Sequence, residues 1–445
     1  MKSTTLFKCI FILLAFLSFN KGLSQKTSPY GFEVNPMSVE GAPIRSVVIL
    51  LEKEGKEYFA DSVETRAFYE AFGIKPGVLF QRDFADFAVQ TIVKQPEIKE
   101  AFYKVYNSEV GGSVTMVVYA TFLGAGEMKT IDGKKGMSVT GGMNAFPLLL
   151  QTENSKFTFI LNGAVGSYNE VNGLFAQGEA FTQGNPIATN PAGEGTRYWS
   201  EAFIEPGIAG ITRLGKSKLY PYGAVSYLIS GRNTSDIYSD GGATYGAFER
   251  LYGGIVIPKL GKNQNLNIDV SAGRQFFQLN DGFLFSRFSG SANAGERGSV
   301  YLNSRTAYQM SVFAKAHIKN FTIQGVFLEP QELFKDSQRD TRFLIGSLNF
   351  NNNRRIDAGI SYITIGSSKA TYGTPQGTIP KEGMYIINPK LWFTNIAETG
   401  LFFKSEYAFQ SHATADMRSN AWYAGVGFIS PNGAIAPVCI TAMPS

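Results

Sequence analysis

From Tyr308 to Lys319 the chain alternates. Tyr308, Met310, Val312, Ala314, Ala316 and Ile318 are apolar, while Gln309, Ser311, Lys315, His317 and Lys319 are polar. A period of two places the two sets on opposite faces of a β-strand. The pattern recurs. Phe157, Phe159, Leu161 and Val165 alternate with Lys156, Thr158 and Asn162, and Leu266, Ile268, Val270 and Ala272 with Asn265, Asn267, Asp269 and Ser271. Ile356, Ala358, Ile360 and Tyr362 alternate with Arg355, Asp357, Gly359 and Ser361; Tyr385, Ile387, Leu391 and Phe393 with Asn388, Lys390 and Thr394; Leu401, Phe403, Tyr407 and Phe409 with Lys404, Glu406 and Gln410.

Charged residues return on the polar face of these segments. In a secreted β-sandwich or propeller that face meets water; in a transmembrane β-barrel it lines the lumen and the apolar face meets lipid. The barrel is the expectation for residues 130–430. Aromatics stand on the apolar faces at Tyr308, Tyr362, Tyr385 and Phe409, as interfacial girdles do, and polar stretches at 177–195 and 233–244 suit external loops. Roughly 14 to 18 strand-like segments can be picked out, and bacterial barrels close with an even number. Met310 and Val312 are then expected to face lipid, and Lys315 and His317 water.

Residues 30–125 read differently. Ile44–Leu51 is a short β-branched run. In 63–72, Ala67, Phe68, Ala71 and Phe72 fall at helical spacing before Gly73. Asp83 is a candidate cap for a second helix with a buried stripe of Phe84, Phe87, Ala88 and Ile92, ended by Pro96. Residues 99–106 and 113–122 read as strands. The whole is a small α+β unit of order β-α-α-β-β, and Gly124-Ala-Gly126 suits a linker.

Residues 1–24 have a basic start at Lys2 and Lys8 and the apolar run Ile10–Leu17, as a cleaved signal peptide does. With Cys9 in the leader, Cys439 alone would remain, so no intrachain disulfide is expected. Net charge is +5 overall, but residues 25–129 carry 11 basic and 14 acidic residues, net −3, and 130–445 carry 27 and 22, net +5. Neither part is basic enough to suggest nucleic acid. After Phe428 alternation stops, and residues 431–445 read as an irregular tail.

Two resemblances follow from particular strings. The front unit, in "IRSVVILLE", "GIKPGVLFQRDF" and "VTMVVYATF", resembles a POTRA domain, which implies a periplasmic module that recruits partners by adding a strand to a sheet edge. In the body, "DVSAGRQFFQLNDGFLF" at 269–285, "ERG" at 296–298 and "FKDSQRDTRFLIGSLNFNNNRRIDAGISYI" at 334–363 are similar to the alginate-export-type porin family. That resemblance implies a barrel of about eighteen strands passing acidic polysaccharide, with Arg274 and Arg297 at a constriction. Arg274 shares the parity of Val270 and Ala272, so it requires a bulge or strand end near Gly273. The rival group, POTRA-plus-barrel insertases and translocators, carries a Val-Arg-Gly-Phe/Tyr motif that is missing from this sequence.

Lys315, His317, Lys319, Arg355, Asp357, Lys390, Lys404 and Glu406 are the candidate pore-lining residues. Their lysines and arginine either pair with wall carboxylates or act as a field that attracts anions. His317 and His412 are the only histidines; neither suits a Ser–His hydrolase in a barrel wall, and Glu201 and Glu205 do not read as a catalytic pair. No metal-ligand spacing, cofactor motif or enzyme is expected. The expected protein is an outer-membrane pore or exporter for a hydrophilic, anionic solute or polysaccharide, with its front domain in the periplasm available to a protein partner. The alternative is a translocator or assembly factor for other proteins.

Overall fold

The computed structural model describes residues 30–440, apart from 61–73, 108–112, 125–147, 173–195, 236–239, 261–265, 287–301, 332–339, 352–355, 397–400, 430–434 and a few shorter interruptions. The signal peptide, the helix expected at 63–72, the linker at Gly126, Arg297 and Arg355 lie outside the described residues.

The front unit is a five-stranded sheet. Its strands are β1 (Phe32–Glu33), β2 (Ile44–Lys53), β3 (Lys56–Phe59), β4 (Ile98–Asn107) and β5 (Val114–Phe122), in the order β1-β4-β5-β2-β3. β2 and β5 run parallel, and the other neighbours antiparallel. Among the described residues a helix, α1 (Arg82–Val93), packs on one face. Val47, Ile49 and Leu51 of β2, Tyr103 and Val105 of β4, and Met116 and Val118 of β5 meet Ala85, Ala88, Val89 and Ile92 there. Of the expected stripe, Ala88 and Ile92 lie in this core and half-buried Phe84 packs both against it and beside Ile211 and Tyr222 of the body, while the Phe87 side chain lies outside the described residues; Ala85 and Val89 complete the buried face. β3, absent from the sequence reading, forms because Gly55, at φ 75°, turns the chain back on β2.

Among the described residues the body is one fourteen-stranded antiparallel sheet in which neighbours in the sheet follow chain order. Its strands are β6 (Leu148–Gln151), β7 (Ser155–Val171), β8 (Thr196–Thr212), β9 (Tyr220–Ser235), β10 (Asp240–Leu260), β11 (Leu266–Arg274), β12 (Met310–Ile318), β13 (Phe321–Glu329), β14 (Arg342–Asn351), β15 (Ile356–Ser367), β18 (Met384–Ile396), β19 (Leu401–His412), β20 (Arg418–Ile429) and β21 (Ile435–Ile440). A two-stranded hairpin, β16 (Thr371–Thr374) and β17 (Gly377–Pro380), stands apart between β15 and β18. The fourteen strands among the described residues fall within the sequence expectation of 14 to 18. The tail expected at 431–445 is corrected in part: 435–440 pairs with β20, with Val426 opposite Val438.

Connections 213–219, 319–320 and 352–355 share one end of the sheet, and the longest, 172–195 and 275–309, share the other. The sheet wraps around. Segment 275–309 touches β8 and β10 on one side and β18, β19 and β20 on the other, although these strands are far apart in sheet order. The sheet therefore curls until its β8–β10 and β18–β20 parts both meet described residues of that connection. Among the described residues no ladder joins β21 to β6.

Polarity across this wall is inverted relative to a soluble sheet. The enclosed face buries Ser226, Glu205, Arg250, Ser271, Lys315, His317, Gln324, Ser361, Asn388, Lys390, Lys404 and Glu406. The outer face exposes Ile255, Val270, Met310, Ile323, Leu344, Leu348, Ile360, Tyr362, Leu391 and Val426. Met310 and Lys315 therefore stand on the faces the alternation assigns them. Tyr308 does not: it precedes β12, is 4% exposed, and packs edge-on against Phe277 inside the barrel. Tyr362 and Tyr385 do stand together on the outside, rings 6.1 Å apart.

Burial is worth about 1.5–3 kcal/mol per large aliphatic side chain. Leaving roughly twenty in water forgoes more than the ~5–15 kcal/mol by which a domain is stable. Such an outer face is therefore stable against an apolar medium. Ile360→Lys is accordingly expected to lower the unfolding free energy in lipid or detergent by about 2–4 kcal/mol, measured by urea titration; an unchanged value would mean that this face meets water.

Candidate functional site: the lumen and its two closures

The lumen is organised by a break in the alternation of β10. Phe248 and Leu251 both point outward, yet between them Glu249 and Arg250 both point inward and are buried, because the pairing register with β9 slips between Phe248 and Arg250. A β-bulge of this kind delivers two adjacent side chains to one face. Arg250 Nε donates to Glu205 Oε1 at 3.0 Å, and Glu205 also accepts from Ser226 Oγ at 2.6 Å and Asn162 Nδ2 at 3.3 Å. Glu249 reaches instead to segment 275–309. It accepts from the amides of Thr306 and Ala307 at 2.6 and 2.8 Å and pairs with Arg305 at 3.2 Å.

The start of that segment is fixed at the opposite wall. Next to the end of β11, Gly273 has a φ of 126°, which favours glycine, and after Arg274 the residues Gln275 to Asn280 run inward, buried. Asn280 Nδ2 donates to Asn388 Oδ1 and Glu406 Oε2 at 3.1 and 3.2 Å. Asp281 pairs with Lys404, and the Tyr423 hydroxyl lies 2.7 Å from Asp281 and 3.0 Å from Glu406. Toward the long-connection end, Phe277 and Leu279 join Phe313, Leu328, Ile345, Ile363 and Ile386 in an apolar cluster on the inner wall. The described residues on the two sides of this connection are thus held by ion pairs at different parts of the wall, Asp281 at Lys404 and Arg305 at Glu249.

The short-connection end is met by the front module. Asp86 of α1 forms an ion pair with Lys156 of β7; both are fully buried, and Tyr103 donates to the same carboxylate at 2.7 Å. Arg82 donates to Thr158. Across the mouth the Arg45 guanidinium lies over the Phe402 ring, 6.0 Å from its centroid. Burial lowers Arg45 to about 10, opposed by the charge of Asp357, so it remains cationic at neutral pH. One module therefore touches β7, β8 and β9 on one side and β19 on the other.

The expected pore residues are only partly assembled. Lys315, Lys390 and Lys404 are buried on the enclosed face, and each faces a carboxylate: Asp269 at 3.8 Å, Asp357 at 3.0 Å, and Asp281. Lys390 and Lys404 also flank Trp392, 4.5 and 4.7 Å from its ring centroid. His317 Nδ1 is 2.7 Å from Thr322 Oγ1. Lys319 is a correction: at φ 51° it sits exposed in the β12–β13 turn, outside the lumen. Arg274 ends β11 and donates to the Phe248 carbonyl at 2.8 Å, so its guanidinium is bonded to the wall at the strand end. His412, read as a loop residue, closes β19; its Nδ1 accepts from the Thr414 and Ala415 amides at 3.1 and 3.0 Å.

Asp86, Lys156, Glu249, Arg250, Asp281 and Arg305 were missed. The bulge hides two of them. The others owe their roles to partners distant in sequence, which no local pattern records. Among the described residues no cluster of potential metal ligands occurs.

No protein-family model and no curated protein matches the chain. Among solved structures, it has 9% identity to OmpF of Salmonella typhi in complex with daunomycin, over 66% of this chain and 92% of that one, at a TM-score of 0.31. It has 9% identity to the siderophore receptor PiuA of Acinetobacter baumannii, over 64% and 48%, at 0.30. For BamA of Haemophilus ducreyi lacking POTRA domains 1–3 the identity is 9%, over 89% and 83%, at 0.25. Likenesses at these scores carry no weight for function.

Removing one member of a buried ion pair costs about 3–5 kcal/mol, because the other charge stays desolvated. Lys156→Met is therefore expected to destabilise the docked front module by that order, and Lys156→Met with Asp86→Leu to recover most of the loss, in a double-mutant cycle read by denaturant unfolding.

Proposed function

We propose that this chain is an outer-membrane β-barrel that forms a gated conduit for a hydrophilic solute. The carrying observation is the wall itself: apolar outside, charged and hydrogen-bonding inside. Long connections in such barrels face the exterior and short ones the periplasm, so the front module stands on the periplasmic side. Lys315, His317, Asp357, Lys390, Lys404 and Glu406 line the passage. Gln275–Asp281 and Arg305–Ala307 narrow it, and the front module covers its inner mouth.

The arrangement favours a passage that opens on displacement of one or both closures over a permanently open pore. Ion pairing tempers selectivity. A lysine 3.0 Å from an aspartate presents little net charge to a passing ion, so an anion preference driven by the body's +5 balance is mild. An acidic polysaccharide or smaller anion is the substrate class that agrees with this balance. A second reading, a translocator for exported proteins, is favoured by one feature: any chain approaching from the periplasm meets the module before the lumen.

Planar-bilayer recording separates the readings. Wild-type protein is expected to show infrequent, small openings with a slight anion preference in a salt gradient. Glu249→Gln with Arg305→Gln, which loosens segment 275–309, is expected to raise open probability and step size. Silence of both proteins, with the fold intact, would leave a structural barrel and end the conduit reading.

A further inference from the structure

The front sheet has two faces, and α1 packs on one. Arg82, Phe84 and Asp86 of α1 reach the barrel, and so does Arg45 near the start of β2, at the other end of that strand from Leu50. On the other face the strand registers align a transverse row. Phe59 of β3 is opposite Leu50 of β2, Leu50 is beside Tyr119 of β5, and Tyr119 is opposite Phe102 of β4. The Phe102 and Tyr119 rings stack, centroids 4.8 Å apart. Phe59 is 66% exposed, and Leu50, Tyr119 and Phe102 are half-buried. With strands about 4.8 Å apart, the row is an apolar ridge of about 14 Å, between two and three turns of a helix.

The flanks of the ridge differ. One flanking row is Glu57, Glu52, Thr121 and Glu100, again in register across the same four strands. Glu57 and Glu52 sit directly opposite one another, an arrangement that costs stability in an antiparallel pair and that a cation placed between them relieves. The other flank is Val48, Val117 and Lys104, and Lys104 is engaged by Glu33 at 2.9 Å. The module as a whole is acidic, with net charge −3 over residues 25–129.

We infer that this ridge docks a basic amphipathic segment of a protein partner, its apolar side on Phe59, Leu50, Tyr119 and Phe102 and its lysines or arginines beside Glu52, Glu57 and Glu100. The acidic row selects the sign of the partner and repels an anionic membrane surface. The module's barrel contacts are made by α1 and by Arg45 near the start of β2, whereas the ridge crosses β2 at Leu50 near its end, so occupation needs no release of the module from the mouth. It stands whether or not the barrel conducts.

The test uses the full chain in nanodiscs of zwitterionic lipid and two labelled amphipathic peptides of about fourteen residues, one of leucine and lysine, one of leucine and glutamate. Binding is read by fluorescence anisotropy after subtracting empty discs. The lysine peptide is expected to bind at least about tenfold tighter than the glutamate peptide, and Phe59→Ser, or Glu52→Gln with Glu57→Gln, to weaken it about tenfold. Val171→Ser, on the outer barrel surface, is expected to leave binding unchanged. If Phe59→Ser lowers the melting temperature, Glu57→Lys replaces it, since that side chain is exposed. Equal binding of the two peptides, or binding indifferent to the ridge variants, overturns the inference. So does a mass measurement in which wild-type protein is dimeric and Phe59→Ser monomeric, which would make a second copy of this chain the occupant.

Discussion

The structure depends on one inverted partition: the apolar side of each wall strand faces out and the polar side faces in. In water the hydrophobic effect drives the opposite arrangement. An aqueous surface carrying Ile323, Leu344, Leu348 and Ile360 in adjacent strands, with Lys315, Lys390 and Lys404 buried behind it, would forfeit the burial term and pay desolvation as well. A hydrocarbon surround removes the first cost. It also explains why regular hydrogen-bonded strands are kept throughout the wall, since backbone polar groups find no water in lipid.

The second cost, buried charge, is met inside. Each lumen lysine named above has a carboxylate, and the bulge at Glu249 and Arg250 supplies two further partners, one bound to the wall at Glu205 and one to Arg305 of the connection after β11. The same logic joins the modules. Asp86 and Lys156 are each tolerable in the interface only because the other is present. Ion pairs thus do here what apolar packing does in a soluble core: they decide which segments stay together.

Much of the wall was legible in the sequence because a period of two survives wherever a strand is regular. β11, β12, β15, β18 and β19 follow the alternation closely. It fails where geometry departs from the regular strand. The bulge sends Glu249 and Arg250 to the same face; the left-handed Lys319 takes the chain out of the lumen; Tyr308 precedes its strand and turns inward. β21 escaped notice because Pro437 and a uniformly apolar run give no alternation, yet it pairs with β20. In the front module Phe84 serves two surfaces, its own core and the barrel mouth, so its helical stripe cannot be read from one module alone. The site was less legible than the wall, since Asp281 and Lys404, or Asp86 and Lys156, meet only after the sheet has wrapped.

The most direct measurement is the environment of the outer face. Spin labels at Leu344→Cys, Leu348→Cys and Ile360→Cys, in protein reconstituted into liposomes, are expected to collide with dissolved oxygen and to be shielded from a water-soluble nickel chelate. Nickel collision rates equal to those of a label on an exposed loop would place that face in water and contradict the barrel's membrane setting.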